Sequence, residues 1–475
     1  MQQTTTAEIP VAAAKLQMSR ELVTLVFAYI VAAAAWLIFG TGVGEYVGIK
    51  LVSPEVDTLP WLSFGRLRPV HTNAVFWGWS SLASIGLALY VVPRTSQRAL
   101  YSIRNGWIAF WIINIAVTVG VITLMAGINN GGQEYREFVW PVMAVFAAGM
   151  ILTFHNLYMT IAKRAVDDIY ISNWYIMAAF GWTVIVVLVG YLPWHAQDGI
   201  SQTVIQGFYM HMGVGMWFTP LALGVTYYAL PALLNKPIFS YSLGVLAFWT
   251  QMVFYTLIGS HHFVFSPVPW WLQTVGIVFS FGMVITLAAG TGNFLMTMRG
   301  SGRTIRRSYS LPFILVGVLS YFIFSFQGSL EALRSLNEVW HFTNFVIAHS
   351  HQTMYGFIAF ILWGAIYGLL PRMTGREPSR TAVGIHFWFA LVGLLLYTTP
   401  LMIGGTLQGL SWMEGNAFID SVILMAPHWL WRAIGGSLMF ASHLIFAWNL
   451  WKIRPRRAES PAADAGKASL SEVVA

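Results

Sequence analysis

Ala348-His349-Ser350-His351 lies inside an apolar stretch near residues 340–370, and its two histidines decide what that stretch can be. Residues two apart on an α-helix point about 200° apart, so His349 and His351 must face opposite sides. Imidazoles are scarce inside lipid, because each needs a partner or a ligand to offset its desolvation. A helix with one on each face can ligate two separate metals.

Four further histidines share this setting: His71, His211 and the adjacent pair His261-His262. The chain around them has 475 residues, 57% hydrophobic and 9% charged, with a mean hydropathy of +0.64. That composition belongs to a polytopic membrane protein. Twelve apolar stretches are each long enough to cross roughly 30 Å of hydrocarbon as a helix. They lie near 22–42, 72–92, 107–127, 139–161, 170–192, 203–230, 239–263, 270–297, 310–330, 340–370, 384–405 and 425–451. The fold class is therefore an all-α membrane protein of about twelve transmembrane helices. A polar arm (1–20) precedes the helical domain (21–453), and a Ser/Ala/Glu-rich tail (454–475) too polar to pack follows it. The first stretch has no convincing small-residue cleavage site before it, so it reads as a retained helix rather than a signal peptide.

Basic residues set the topology. Lys15, Arg20, Arg94, Arg98, Arg104, Lys163, Arg164, Lys236, Arg299, Arg303, Arg306, Arg307, Arg372, Arg376, Arg380, Lys452, Arg454, Arg456 and Arg457 fall on one side of the twelve spans, and few fall on the other, chiefly Lys50, Arg66, Arg68, Arg136 and Arg334. The positive-inside rule then makes both termini cytoplasmic. The net charge of +8 is explained as topology and needs no nucleic acid. With this topology all six histidines reach one level, in the outer half of the membrane.

His261 and His262, about 100° apart on a helix, converge on one metal only if a third ligand such as His211 closes the site. Three imidazoles suit copper or iron, and the absence of cysteine excludes thiolate ligation. Tyr255 precedes His262 by seven residues, which puts its phenol on nearly the same helical face as a candidate proton and electron donor.

The motifs Gly65-Arg66-Leu67-Arg68-Pro69-Val70-His71-Thr72-Asn73, Tyr209-Met210-His211, Tyr255 with Gly259-Ser260-His261-His262, and Ala348-His349-Ser350-His351 resemble the catalytic subunit of the haem-copper oxidase superfamily. The C family, the cbb-type cytochrome c oxidases, is the most similar. The resemblance runs from Phe64 to Trp451 and implies the haem-copper oxidase subunit I fold. It implies two haems b and one copper ion, with His71 and His351 as axial ligands of a low-spin haem, His349 as the ligand of a high-spin haem, and His211, His261 and His262 on copper. It also implies a covalent link between Tyr255 and His211. The related nitric oxide reductases carry a glutamate four residues after the first metal histidine, a hard ligand suited to iron. Here that position is Gly215, which favours copper and dioxygen. A secondary transporter with histidine proton relays leaves the four-helix histidine pattern unexplained.

Arg68 and Arg432 are outer-side charges able to pair with haem propionates through charge-assisted bonds, and His341 matches a family histidine in the same propionate region. The resemblance gives Glu134, with Glu137 as second choice, to a calcium site. Gln327 stands where the family has a glutamate that strengthens the high-spin ligand, here His349; an anionic acceptor makes a ligating imidazole more electron-donating. Glu331, one turn on, is the residue able to compensate. Tyr227, Tyr241, Tyr321 and Tyr255 match the family's proton path, although Gly244-Val245-Leu246-Ala247 makes its inner end unusually apolar. No Cys-x-x-Cys-His run exists to attach c-type haem. Electrons are therefore expected from other polypeptides, by resemblance membrane-anchored mono-haem and di-haem cytochrome c subunits. The implied function is reduction of dioxygen to water, coupled to proton translocation across a bacterial cytoplasmic membrane whose lipid surrounds the chain. His155, His386 and His443 read as hydrogen-bonded structural residues, and His195 and His428 as interfacial ones.

Overall fold

The computed structural model describes residues 18–131, 133–191 and 199–455. The arm up to 17 with Lys15, Trp194 and His195, and the tail from 456 with Arg456 and Arg457 lie outside the described residues. Twelve helices are long and apolar enough to cross a membrane: α1 Arg20–Val52, α2 Phe64–Ser96, α3 Ile103–Met125, α4 Trp140–Ala162, α5 Ile171–Tyr191, α6 Gly199–Leu234, α7 Tyr241–Phe263, α8 Trp270–Met298, α9 Leu311–Glu331, α10 Asn344–Thr374, α11 Arg380–Met413 and α12 Phe418–Lys452. Each expected stretch corresponds to one of them, and there is no strand among the described residues. α1 continues past its apolar run because its polar end is partnered: Tyr46 and Lys50 both bond Asp57. Its start is fixed by the Ser19 hydroxyl, which accepts from Leu22 N–H at 3.2 Å.

Three helices form the centre. In α2, α6 and α10 the apolar window is 94%, 89% and 89% buried, against 39–50% in the other nine, so these three face protein and cofactor space while the rest face lipid. Each carries a histidine within three residues before a π-wound segment: His71 before Ala74–Ser80, His211 before Gly213–Phe218, His351 before Gln352–Ala359. A π turn widens the helix by a residue and re-aims the side chains around it, and it recurs at functional sites. Each helix also ends alike. Pro93, Pro231 and Pro371 offer carbonyls to the N–H groups of Gln97, Asn235 and Gly375, all in the left-handed region.

His71, His211 and His351 are 140 residues apart in turn, so the chain is a threefold repeat of four helices (α1–α4, α5–α8, α9–α12). The sequence reading did not pick out this period. It shows in detail away from the histidines as well. Ser102 caps α3 while its backbone exchanges bonds with Asn156 of α4, and Ser240 caps α7 while its backbone does the same with Asn293 of α8.

Candidate functional site

The rings of His211, His261 and His262 meet where α6 and α7 touch, with a nitrogen from each lying within 4.8 Å of the others. His211 Nδ1 is 2.9 Å from His262 Nε2, and His261 Nε2 is 3.2 Å from that same atom. Ser280 Oγ donates to Gly276 O, so it accepts from His261 Nδ1–H at 2.8 Å. That fixes the tautomer and turns the Nε2 lone pair of His261 into the cluster. A proton between two of the rings serves one contact only, whereas a metal at about 2 Å from each nitrogen engages all three. The donor set fits copper.

The helical-face argument for Tyr255 does not hold, because Tyr255–Phe263 is wound as a 3-10 helix. At three residues per turn, positions seven apart are not on one face. The phenol reaches the cluster another way: its ring lies 4.9 Å from that of His211, at 21° between planes. His211 Nε2, on the side away from the cluster, is buried without a partner. Gly215 makes room for this arrangement, since a Cβ there would stand 1.6 Å from Tyr255 Cζ. A glutamate at 215 and a tyrosine in this position exclude one another.

His349 and His351 open onto two cavities on either side of α10. The first, about 420 Å³, is lined by His349, His341, Tyr255 and the three clustered histidines. The second, about 350 Å³, is lined by His71, His351, Arg432 and Tyr397. In the second, the rings of His71 and His351 are 6.2 Å apart and nearly parallel, at 10°. Two imidazoles sharing one metal at about 2 Å from each nitrogen have ring centres roughly 6 Å apart. Both Nδ1–H groups are occupied by backbone carbonyls, Gly40 O at 2.7 Å and Ile347 O at 2.8 Å, which leaves both Nε2 atoms for a ligand role. α1 approaches closely enough only because Gly44 lacks a side chain: a Cβ there would lie 2.4 Å from His71 Nδ1.

Around His349 the expectation for Gln327 changes. Nδ1 of His349 lies 3.2 Å from Glu331 Oε1, and Gln327 donates to that same oxygen at 3.3 Å. The carboxyl group beside the imidazole is therefore that of Glu331, one helical turn further on, and Gln327 holds it.

Arg68 lines both cavities and pairs with Glu134 at 3.0 Å. Arg432 lines the second cavity, donating to the Tyr397 hydroxyl at 2.9 Å, and the Tyr397 ring lies 4.3 Å from that of His351. His341 stacks on Phe342 at 3.8 Å, and burial holds its imidazole below the usual value. Glu137, in the loop before α4, accepts from Asn73 at 2.9 Å, and burial pushes its carboxyl up to about 7. The sequence reading missed Glu45, which lines the second cavity and accepts from Ser437 at 2.6 Å. A carboxylate inside an apolar span was the available signal.

The path tyrosines are brought into one region without bonding directly to one another. Tyr241 donates to Ile169 O at 3.3 Å. The hydroxyls of Tyr227 and Tyr321 are buried without partners, as is that of Tyr175, which stacks on Tyr227 at 5.5 Å and was not anticipated. Gly244 of α7 and Gly290 of α8 leave the space that Tyr227 and Tyr321 fill, since a Cβ there would lie 3.3 Å and 3.4 Å from their rings.

Residues 24–438 match the family described as cytochrome c and quinol oxidase polypeptide I. The chain is 31% identical over 435 residues to the cbb3-type cytochrome c oxidase subunit CcoN1 of Stutzerimonas stutzeri, covering 88% of this chain and 92% of that one. It is 32% identical over 460 residues to a cytochrome c oxidase subunit 1 homolog of Azorhizobium caulinodans, covering 92% and 82%. A solved haem-copper terminal oxidase dimer superposes with a TM-score of 0.75 at 15% identity, over 93% of this chain and 86% of the other, a likeness of fold.

Proposed function

The chain belongs to the cytochrome c and quinol oxidase polypeptide I family, and from that premise we propose that it is a cbb-type subunit holding two haems b and one copper ion. It is the oxygen-reducing catalytic subunit of a haem-copper terminal oxidase and a multi-pass membrane protein. One observation carries the finer reading: α10 turns His349 toward a three-imidazole cluster and His351 toward His71, in separate cavities. The bound haems and copper supply the electron transfer and the reduction of dioxygen to water.

The chain's own residues do the rest. His71 and His351 would hold the low-spin haem, their tautomers fixed by Gly40 O and Ile347 O. His349 would hold the high-spin haem, and the Glu331 carboxyl group beside its Nδ1 would set the donor strength of its imidazole. His211, His261 and His262 would hold copper. Tyr255 keeps a proton at its phenol oxygen beside His211, positioned for delivery to a substrate bound at the cluster, and the unpartnered His211 Nε2 is the atom open to a link with the Tyr255 ring. Tyr241, Tyr227 and Tyr321 form the inner proton path, with water joining hydroxyls that lack partners. Arg68, His341 and Arg432 receive the propionates. A calcium ion takes six to eight oxygens; at Glu134, already bonded to Arg68, it would draw the others from propionates and water. Membrane-anchored mono-haem and di-haem cytochrome c subunits supply electrons. The membrane is the bacterial cytoplasmic one, with both termini cytoplasmic.

An optical spectrum with metal analysis of the purified complex tests this reading. Two haems b and one copper per chain are expected. Iron in place of copper at the three-histidine cluster would return the chain to nitric oxide reductase chemistry, which Gly215 and Tyr255 together disfavour.

A further inference from the structure

Arg136 stands apart from the other basic residues expected on the outer side. Lys50 pairs with Asp57 and Arg68 with Glu134, while Arg66 donates to Met125 O at 3.1 Å and Arg334 to Thr274 at 2.8 Å. The Arg136 side chain is only 1% exposed, yet its Nε and Nη1 have no hydrogen-bond partner among the described residues.

The loop before α4 puts it there. Tyr135 holds the left-handed backbone conformation, with φ at 62°, and turns the chain inward. The backbone around it is satisfied: Arg136 N–H donates to Gln133 O at 2.9 Å and Asn130 N–H to Glu137 O at 2.8 Å, while Trp77 and Gln206 donate to the carbonyls of Tyr135 and Glu134. Only the side chain is left over. Its guanidinium carbon lies 6.0 Å from the centre of the Tyr209 ring in α6, and at the end of α5 a Cβ on Gly190 would stand 2.5 Å from that ring and 3.3 Å from Arg136 Cδ. Tyr191 packs edge to face on Tyr209 at 5.9 Å. These two phenols are the ionisable groups facing the guanidinium, and both hydroxyls are buried without partners.

A guanidinium stays protonated inside a protein, and a buried charge without a counter-charge is strongly destabilising. Neither neighbouring carboxyl group supplies one. Glu134 is bonded to Arg68. Glu137 gives Oε2 to Asn73, and its carboxyl is raised to about 7 by burial, whereas a guanidinium beside it would hold it down. Haem propionates are out of reach, because Arg136 lines neither cavity beside α10. The unpartnered amide oxygens of Gln133 and Gln206 are neutral, as is water, and a ring 6.0 Å away is at the limit of cation–π attraction. Two guanidinium N–H groups and two phenol O–H groups therefore remain beside an unbalanced positive charge. That is the donor set of an anion site.

We propose that Arg136, Tyr191 and Tyr209 bind a small monovalent anion of the chloride class, enclosed between the loop before α4 and the outer halves of α5 and α6. Close packing around Gly190 selects a monatomic ion over a larger oxyanion. The ion pins the loop to the two helices, and with it Glu134 and its Arg68 partner, which line both cavities. The site is independent of the haem and copper assignments, since none of its three residues lines either cavity.

Bromide is the probe, with the purified complex. At constant ionic strength, exchange of chloride for gluconate should lower the thermal midpoint, and bromide should restore it, because a ligand of the folded state stabilises by mass action. Crystals grown in bromide should show an anomalous peak beside Arg136. Arg136→Met, apolar and of similar length, should lose both the salt effect and the peak. Tyr191→Phe removes one O–H donor and should raise the half-effective bromide concentration about tenfold. Equal midpoints in all three salts, a salt effect that survives Arg136→Met, an unchanged half-effective concentration in Tyr191→Phe, or bromide found only at the three-histidine cluster overturns the inference. If Arg136→Met does not assemble, absence of the peak beside Arg136 in the parent overturns it alone.

Discussion

The two cavities beside α10 use the same side chain under different constraints. His71 and His351 give their Nδ1 protons to backbone carbonyls, which do not titrate and move only with their helices. His349 faces the carboxyl group of Glu331, and the three-histidine cluster beside it is completed by a phenol fitted over a glycine. A site built for electron transfer needs two fixed ligands. A site built for chemistry needs one adjustable ligand, an open side and a proton donor. The imidazoles alone do not distinguish the two cavities; their partners do.

The largest effects should come from exchanging roles across α10. His71→Ala or His351→Ala should abolish the low-spin haem spectrum and leave carbon monoxide binding at the other haem at least in part. His349→Ala should do the reverse. Loss of carbon monoxide binding alone, in either low-spin variant, would break the division between the cavities.

Next comes the phenol. Tyr255→Phe should keep both haems and copper while oxygen consumption falls by roughly 10²–10⁴, the usual scale for losing a positioned proton donor. Gly215→Ala should reproduce much of that loss by displacing the ring, since its new Cβ would fall 1.6 Å from Tyr255 Cζ. Full turnover in either variant, with copper present, would remove Tyr255 from the reaction.

The twelve helices and the six histidines were legible because hydropathy and imidazoles in lipid are both unambiguous in sequence. The partners were less so, because they depend on helix winding. Tyr255 and His262 were read at α-helical spacing, while their segment is a 3-10 helix; the three central histidines owe their aim to π turns that no residue pattern announced. Glu331 was named only as a compensator for Gln327, since a one-turn shift along α9 decides which of them meets His349. Glu45 was passed over, whereas His386 and His443, read as hydrogen-bonded structural residues, do bond Tyr367, Thr41 and Tyr355; the 140-residue spacing of His71, His211 and His351 would have exposed the repeat.

A smaller effect tests the carboxylate. Glu331→Gln should weaken the donor character of His349 and raise the high-spin haem potential by on the order of 59 mV, a factor of ten for a one-electron couple. The low-spin potential should hardly move. Gln327→Glu should lower the high-spin potential by less than that, because the new group shares a proton with Glu331. A redox titration showing equal shifts at both haems would mean that Glu331 acts through the general field and not through His349.

The smallest expected effect lies outside the bundle, at Glu137. Its carboxyl is raised to about 7 by burial, and Oε1 has no partner while Oε2 accepts from Asn73. A carboxyl raised in the folded state favours the protonated form, so its contribution to stability is complete below the ordinary carboxyl value and is lost as pH rises toward 7. The thermal midpoint of the complex, followed through haem absorption, should therefore decline between about pH 5 and pH 7.5. Glu137→Gln keeps the Asn73 bond without the charge and should remove that decline, a change of about a degree or two in a protein of this size. An undiminished decline in the variant would mean that Glu137 is ionised in the folded protein, held by a cation, and would revive it as a calcium ligand in place of Glu134.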